Sequence, residues 1–381
     1  MVSRGTPASS GRPLVTTSLG SAAPTRPAPA RLAVRGRVAL VALGGASLLS
    51  GLNAALVRLE LWAPVSDSRL GDVHGQVMVL GFLGTLISLE RAQALGRAWA
   101  FLAPALLGAG ALALVSPAPP LLGQLLQVEG AALFVATYVA LWRRAPRPLV
   151  AVQALSGVLA LGGAVVVTFA GPLVALPWLA GFVIVTIAAE RAELAVLTMG
   201  ARADRELLGL AAALTVAVLA ALTSPPIGER LAGVVVVAIA CWLIVHDVAR
   251  HQLRLTGQRR YLAAALLAGY VNLLVAGAVL AIAGLGSNQA AYDVVVHGVF
   301  LGFAVSMVMA HAPVILPAVL GRPLPYRPAL WLPLVLLHAG LVVRFVADLL
   351  GAHQWWQVGG LLGVLALLSF LLTAVVLVVR R

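Results

Sequence analysis

Long apolar runs separated by short polar connections fill the chain from about residue 37 to residue 379. A helix needs about 20 predominantly apolar residues to cross the hydrocarbon core of a bilayer, and twelve of the runs are long enough. The pattern therefore predicts an all-α, polytopic membrane protein with about twelve transmembrane helices. The predicted spans are roughly 38–59, 71–90, 97–116, 120–142, 148–170, 173–199, 206–224, 228–249, 260–285, 290–320, 328–350 and 355–379.

The first 36 residues lack this pattern. They are rich in Pro, Ala, Ser, Thr and Arg and contain no acidic residue. Such a composition cannot bury enough apolar surface to compensate for the entropy lost on folding. We therefore predict a disordered cytoplasmic N-terminal tail over residues 1–36 and a twelve-helix transmembrane domain over residues 37–381.

Basic residues occur in alternate connections between the apolar runs. The chain has 26 basic residues, all of them Arg, against 13 acidic residues. Because cytoplasmic loops of membrane proteins carry an excess of basic residues, the alternation predicts both termini in the cytoplasm, with the protein in the cell (inner) membrane. The Arg-bearing connections contain Arg31, Arg35, Arg37; Arg91, Arg97; Arg143, Arg144, Arg147; Arg202, Arg205; Arg250, Arg254, Arg259, Arg260; Arg322, Arg327; and Arg380, Arg381.

This use of charge as a topology signal gives no indication of nucleic-acid binding. The single cysteine, Cys241, lies in an apolar run, so the chain has no disulfide framework, no thiolate metal cluster and no CxxCH haem-attachment motif. Any metal has to be bound by histidine and carboxylate side chains.

A twelve-residue pattern recurs in the second, sixth and tenth spans, as GFLGTLISLERA (81–92), GFVIVTIAAERA (181–192) and GFAVSMVMAHAP (302–313). The first two copies are identical at six positions, and the third keeps the Gly-Phe pair and has His311 where the others have Glu90 and Glu190. Copies at intervals of four spans predict three pseudo-repeated four-helix units. A chance occurrence of the common Gly-Phe dipeptide is the alternative for the third copy.

Two histidines lie within predicted spans at similar depth in the outer leaflet: His74 in the second span and His297 in the tenth. Two neutral imidazoles that face each other from different helices are what axial ligation of a haem iron requires. Each histidine precedes a glycine, Gly75 or Gly298, which is small enough to let a flat macrocycle or another helix approach. The alternative is that each imidazole simply hydrogen-bonds a backbone carbonyl near the membrane interface.

Arg344, near the outer end of the eleventh span, is a candidate ligand for haem propionates, because guanidinium binds carboxylates bidentately. The sequence favours an ordinary i,i+4 ion pair of Arg344 with Asp348, to which propionate binding is the functional alternative. Asp72 and Asp293 occur in the same outer region, and we expect them to be solvated or capping residues.

The tenth span also contains His311, fourteen residues after His297. On a continuous α-helix this separation is four turns less about 40°, with ~21 Å of rise, so the two imidazoles point roughly the same way but cannot share one small site. We expect His311 to belong to a second, inner cluster with His338, Glu90 and Glu190. This set is a candidate second metal site, for copper or another metal, or a proton relay.

Several of these polar residues also have a structural interpretation. Glu90 and Glu190 each precede an arginine, Arg91 or Arg191, and are expected to form ion pairs at helix ends, with Glu193 as a further partner. His246 and Asp247 are most simply interface residues. Glu129, midway along the fourth span, is harder to explain structurally, because an unpaired carboxylate there has to be protonated or bound.

Twelve spans, cytoplasmic termini and histidines in the outer parts of the second and tenth helices resemble subunit I of the haem-copper oxidases. The HG-x5-GF and HG-x3-GF helices and the HAP segment at 311–313 resemble more closely the NnrS-type membrane proteins, which are associated with nitric oxide and bind haem. The resemblance implies that His74 and His297 are the two ligands of a low-spin haem. The sixth and seventh spans contain no histidine, so the copper ligands of the oxidases are missing and oxygen reduction is not implied.

Our leading hypothesis is a haem-binding integral membrane protein of NnrS type, involved in the nitric oxide response or in respiratory electron transfer with a redox partner. Whether it is an enzyme is left open. The alternative is a proton- or metal-coupled small-solute transporter that uses Glu129, Glu90, Glu190 and His311 as its pathway. A scaffold without a cofactor is a third interpretation, in which neither set of histidines has a chemical role.

Overall fold

In a computed structural model of the protein, residues 2, 34–194, 196–286, 288–322 and 324–379 are described, with backbone only for 196–201, 315, 318 and 320. Twelve helices of this part of the chain are long and apolar enough to cross a membrane, which confirms the predicted number of spans. The spans are α1 Val34–Arg58, α2 Ser68–Leu95, α3 Ala98–Val115, α4 Pro120–Arg144, α5 Pro148–Ala170, α6 Pro172–Leu194, α7 Arg202–Thr223, α8 Pro225–His246, α9 Gly257–Ala283, α10 Gln289–Val314, α11 Pro328–Leu350 and α12 His353–Val379.

Two of these helices extend beyond their spans: the helix of α7 begins at Val196 and that of α10 ends at Leu320. A short helix, Ala249–Gln252, connects α8 to α9. Helix α1 begins at Val34, so the last three residues of the predicted tail are helical. Apart from Val2, the rest of that tail lies outside the described residues.

Side-chain caps start α2 and α10, the two helices that carry the outer histidines. The Asp67 carboxylate accepts a hydrogen bond from the backbone N–H of Arg69, and the Asn288 side chain accepts one from the backbone N–H of Ala291. These bonds satisfy donors that have no partner within a helix. The bond from Arg69 also lowers the pKa of Asp67.

The second, sixth and tenth spans form the centre of the bundle. In their most apolar 18-residue windows, 61% of α2, 78% of α6 and 72% of α10 is buried, whereas no other span exceeds 50%. A transmembrane helix that is apolar all round is buried or lipid-facing according to its neighbours, so hydropathy alone does not identify the central ones. The three helices that carry the recurring twelve-residue pattern are the three most buried.

Helices α2 and α10 each contain an eight-residue π-helical segment just after the outer histidine. The segments are Val77–Gly84 and Gly298–Val305, and the Gly-Phe pair occupies the fifth and sixth positions of both. Helix α6 is α-helical throughout. π-Helical turns are rare and occur frequently at functional sites.

The π-helical segment of α10 lies between His297 and His311 and changes how they face. A π-helix forms i→i+5 hydrogen bonds, so each residue rotates less about the axis than in an α-helix. The prediction that the two imidazoles share a face assumed a continuous α-helix, so the angle on which it rests does not apply across this segment. The two side chains line different cavities.

Consecutive helices pack closely where glycines meet, as at the contact between α3 and α4. A Cβ atom added to Gly123 lies 2.7 Å from the carbonyl oxygen of Gly110, and one added to Gly110 lies 2.7 Å from the carbonyl oxygen of Gly123. Small residues are typical of such close contacts, because transmembrane helices associate through packing.

The contact between α3 and α4 yields a test of this packing. We expect Gly123→Ala to lower the free energy of unfolding by about 1–3 kcal/mol, because the new methyl group overlaps backbone atoms that cannot rotate away. Gly209→Ala is the matched control, since a Cβ atom at Gly209 meets nothing within 4 Å. Thermal unfolding in detergent should show a lower midpoint for the first variant only, and equal midpoints would contradict the packing.

Candidate functional site

A cavity of about 260 Å³ lies between α2, α6, α10, α11 and α12, with a contribution from α1. Its volume exceeds the ~150 Å³ in which a buried site holds benzene. His74, His297 and Arg344 all line it. The structure thus brings together at one cavity the three residues for which the sequence predicts cofactor binding.

The two histidines of this first cavity are held by the same ring atom. His74 donates a hydrogen bond from Nδ1 to the carbonyl oxygen of Gly51, 2.9 Å away. His297 Nδ1 lies 3.1 Å from the carbonyl oxygen of Asp293 and 3.1 Å from Oδ1 of the same residue. Among the residues that the structure describes, no hydrogen bond involves Nε2 of either ring, so each Nε2 retains its lone pair as a ligand atom.

Asp293 also joins His297 to Arg344. The guanidinium donates two hydrogen bonds to the carboxylate, from Nε to Oδ2 at 2.6 Å and from Nη2 to Oδ1 at 2.7 Å. One face of the guanidinium lies over the Trp356 ring, with Cζ 4.4 Å from the ring centroid. Asp293 is 2% exposed, so the expectation of a solvated or capping residue is wrong. Arg344 pairs with this carboxylate on α10, whereas the sequence favoured Asp348 on its own helix.

The glycines that follow the two histidines differ in their surroundings. Gly75 lines the first cavity, and a Cβ atom added there meets nothing within 4 Å. At Gly298 the added atom would lie 2.9 Å from Cβ of Ala276, so this glycine serves the contact between α10 and α9. Of the two, only Gly75 leaves room beside a histidine for another molecule.

A second cavity, of about 290 Å³, lies between α1, α2, α6, α10 and α12. Glu90, Glu190 and His311, the residues that occupy equivalent positions of the recurring pattern, all line it. Its remaining walls are mostly aliphatic side chains. The second cavity is therefore an apolar space with two carboxylates and one imidazole.

His311 is held by both ring nitrogens. Nδ1 donates to the carbonyl oxygen of Met307 at 2.9 Å, and Nε2 accepts from Nη1 of Arg191 at 3.0 Å. Arg191 also donates two hydrogen bonds to Asp247, at 2.8 and 3.0 Å, and the Tyr270 hydroxyl donates to the same carboxylate at 2.6 Å. Both lone-pair and N–H positions of the imidazole are used, so His311 has no ligand atom to offer.

These contacts give Asp247 a structural role and change one prediction. Asp247 is 1% exposed and bridges α6 to α9. Arg191 pairs with Asp247 and not with its neighbour Glu190. Oε1 of Glu190 is buried without a hydrogen-bond partner among the residues described.

The predicted ion pair of Glu90 with Arg91 is confirmed. Arg91 donates to Glu90 at 2.6 Å and to Glu193 at 3.1 Å, and Glu193 also accepts from Gln153 at 2.9 Å. Arg91 thus ties α2 to α6, with Glu193 as the further partner that the sequence suggested.

His338 lies apart from the second cavity and is held by both ring nitrogens. Nδ1 accepts from the Asn272 amide at 3.2 Å, and Nε2 donates to the Ser306 hydroxyl, 3.0 Å away. Across the described ranges, no group of three or more His, Cys, Asp or Glu side chains is arranged to hold a metal ion. The candidate second metal site of His311, His338, Glu90 and Glu190 is therefore not assembled, because hydrogen bonds occupy both imidazoles.

Of the remaining candidates, Glu129 and His246 line neither cavity. Glu129 is exposed on the outer surface of the bundle, so it cannot belong to a pathway through the interior. His246 donates from Nδ1 to the carbonyl oxygen of Trp242 and stacks on that indole ring. Asp72 is exposed at the rim of the first cavity.

The two cavities are adjacent. They share four wall residues, Phe82 and Leu83 from α2, Val305 from α10 and Leu367 from α12. Three of the four belong to the π-helical segments of α2 and α10. The wall between the cavities is thus made largely by the irregular part of the two central helices.

Sequence reasoning missed two residues of the first site, Asp293 and Trp356. Asp293 precedes His297 by four residues, a spacing that places both on one face of a helix and signals a contact. No sequence pattern connects Trp356 of α12 to Arg344 of α11, whose guanidinium lies over its ring.

The chain matches, over residues 37–379, the model of a family described as a domain of unknown function, DUF8744. No curated protein and no solved structure matches it. The matched range begins in α1 and ends with α12, so it includes both cavities and every residue that holds their histidines and carboxylates. The protein belongs to the DUF8744 family.

Proposed function

We propose that the protein is a haem-binding integral membrane protein of NnrS type, with His74 and His297 as the axial ligands. The observation that supports this is a contrast among four histidines inside the bundle. His311 and His338 use both ring nitrogens in hydrogen bonds, whereas His74 and His297 use only Nδ1 and line one cavity from different helices. A metal-bound histidine characteristically has Nδ1 held in this way and Nε2 directed to the metal.

The residues that line the first cavity suit such a group in their chemistry. Aliphatic and aromatic side chains of the central helices line it, and Gly75 leaves open space next to His74. Arg344 lies at its edge, and Nη1, the guanidinium nitrogen that Asp293 does not use, is the donor that could meet a carboxylate of a propionate-bearing macrocycle. A planar apolar ring with anionic substituents is the ligand class for which these residues are chemically matched.

The residues of the chain then have separate tasks. Gly51 and Asp293 fix the tautomer and orientation of the two imidazoles through Nδ1, and Arg344 holds Asp293. A haem bound by two axial histidines would supply one-electron transfer. A role in the nitric oxide response or in respiratory electron transfer with a redox partner follows from the resemblance to NnrS-type proteins.

The proposal includes the arrangement of the chain in the membrane. An even number of spans places both termini on one side, and the Arg-bearing connections favour the cytoplasmic side of the cell (inner) membrane. Three pseudo-repeated four-helix units are supported by two observations. The helices with the recurring pattern are the most buried, and π-helical segments occupy the same register of the pattern in α2 and α10.

The second candidate function is a proton- or metal-coupled small-solute transporter. The adjacency of the two cavities supports it, because Phe82, Leu83, Val305 and Leu367 line both spaces. Its pathway does not include Glu129, which faces outward. Flux of a solute into proteoliposomes containing haem-free protein would favour this candidate over haem binding.

The haem proposal is tested directly by spectroscopy of purified protein. We expect a reduced-minus-oxidised difference spectrum with a low-spin haem band, and loss of that band in His74→Ala and in His297→Ala, because each removes one axial ligand. His246→Ala is the matched control, since it removes a half-buried imidazole that lines neither cavity. Unaltered protein without haem, or variants with an undiminished band, would overturn the assignment.

Filling the first cavity tests its role without touching a ligand. Gly75→Leu places a side chain into open space, so we expect the protein to fold and its haem content, measured as the pyridine haemochrome, to fall several-fold. The control is Gly209→Leu, which adds the same side chain at a helical glycine with equally open surroundings. Normal haem content in Gly75→Leu would place the cofactor elsewhere.

The Asp293–Arg344 pair should contribute both to stability and to the site. Asp293→Asn leaves a buried guanidinium without its counter-charge, and we expect a loss of about 3–5 kcal/mol in unfolding experiments in mixed micelles. The double variant Asp293→Asn with Arg344→Met removes the unpaired charge, so it should recover most of that stability. Haem content should stay low in both, because His297 has lost its anionic partner. Full recovery of haem in the double variant would reduce the pair to a structural role.

A further inference from the structure

We propose that the second cavity binds an amphiphilic organic cation, namely a protonated amine on a compact apolar body, with Glu190 as its counter-ion. This site is separate from the first cavity, so the proposal does not depend on whether the protein binds haem. Three observations lead to it: the size and lining of the cavity, the unpartnered carboxylate, and the commitment of the neighbouring guanidiniums to other groups.

The cavity has room for a body much larger than water. Its volume is about 290 Å³, and a single water molecule needs only ~10–15 Å³ on the same measure. Val183 and Ile187 of α6, Val308 of α10 and Leu371 of α12 are typical of its walls. Such walls offer no hydrogen bonds and therefore favour an apolar occupant.

One polar group of this cavity lacks a partner. Oε1 of Glu190 is buried and, within the described part of the chain, receives no hydrogen bond. A buried carboxylate oxygen without a donor is costly, because the group has lost its hydration without compensation. The other two polar residues of the cavity are already bonded, Glu90 to Arg91 and His311 to Arg191.

The two guanidiniums that act electrostatically on Glu190 are those of Arg91 and Arg191. Arg91 bonds Glu90 and Glu193, and Arg191 bonds Asp247 through two nitrogens and His311 through the third. Neither therefore neutralises Glu190 directly. A cation that enters the cavity would supply both the missing hydrogen-bond donor and the missing charge.

The combination of features defines the ligand class. A proton alone would satisfy Glu190 but needs no apolar space of this size, and a neutral apolar molecule would fill the space but leave the carboxylate unpaired. A protonated amine with an apolar body satisfies both. Charge-assisted hydrogen bonds from an ammonium to a carboxylate are among the strong ones in proteins.

The test uses full-length protein in lipid nanodiscs and two probes of the same shape, tritiated 1-aminoadamantane and 1-adamantanol. In the unaltered protein we expect saturable binding of the amine with an affinity at least about tenfold higher than that of the alcohol. This comparison needs no substitution. Equal affinities, or no saturable binding of the amine, would overturn the proposal.

Three variants locate the site. Glu190→Gln keeps the shape of the cavity and should weaken the amine about tenfold while changing alcohol binding less than about twofold. Gly45→Leu fills the cavity, since a Cβ atom at Gly45 meets nothing within 4 Å, and should weaken both probes. Glu193→Gln removes an exposed carboxylate of the same cluster and should change neither by more than about threefold. Unchanged binding of the amine in Glu190→Gln or in Gly45→Leu would refute the site.

Discussion

A guanidinium inside an apolar bundle has to be matched by a carboxylate, and this constraint organises the centre of the protein. Breaking such a pair leaves an uncompensated buried charge, which costs several kcal/mol. Arg344 meets Asp293 beside the first cavity, and Arg191 meets Asp247 near the second. The first pair joins α11 to α10, and the second joins α6 to the residue that follows α8. Each pair is formed by two parallel hydrogen bonds. These two ion pairs therefore fix how the helices are positioned around both cavities, because breaking either pair is costly.

The two ion pairs contact their histidines through different members, the carboxylate in one pair and the guanidinium in the other. At the first cavity the carboxylate of the pair lies next to Nδ1 of His297, which leaves Nε2 able to bind. At the second, the guanidinium donates to Nε2 of His311 and takes up its lone pair. The same kind of pair thus prepares one imidazole as a ligand and commits the other to structure. The sequence makes both histidines candidate metal ligands, and only the partner that each ring meets distinguishes the two roles.

The twelve spans were predictable because an apolar run of sufficient length has almost no alternative to a transmembrane helix. The importance of α2, α6 and α10 was also readable, since their common pattern marks them as related. Contacts between helices were harder to predict from the sequence. Arg191 was expected to pair with adjacent Glu190, yet its partner is Asp247, 56 residues away. Hydrophobic periodicity identifies a helix and its faces, but the neighbour across the interface depends on how the helices are arranged. The π-helical segment between His297 and His311 was missed for a different reason, because nothing in GVFLGFAV indicates a π-helical turn.

The π-helical segments of α2 and α10 have a consequence for how this family can vary. Each segment stands between a residue of the first cavity and a residue of the second on the same helix: His74 and Glu90 on α2, and His297 and His311 on α10. A wide turn exists only while its extra residue is present. Deleting one residue from a segment would restore an α-helix there. The part of the helix after the segment would then be rotated about the helix axis, relative to the part before it, by about a quarter of a turn. Length between these paired positions should therefore be constrained more strictly than the identity of the apolar residues that fill it.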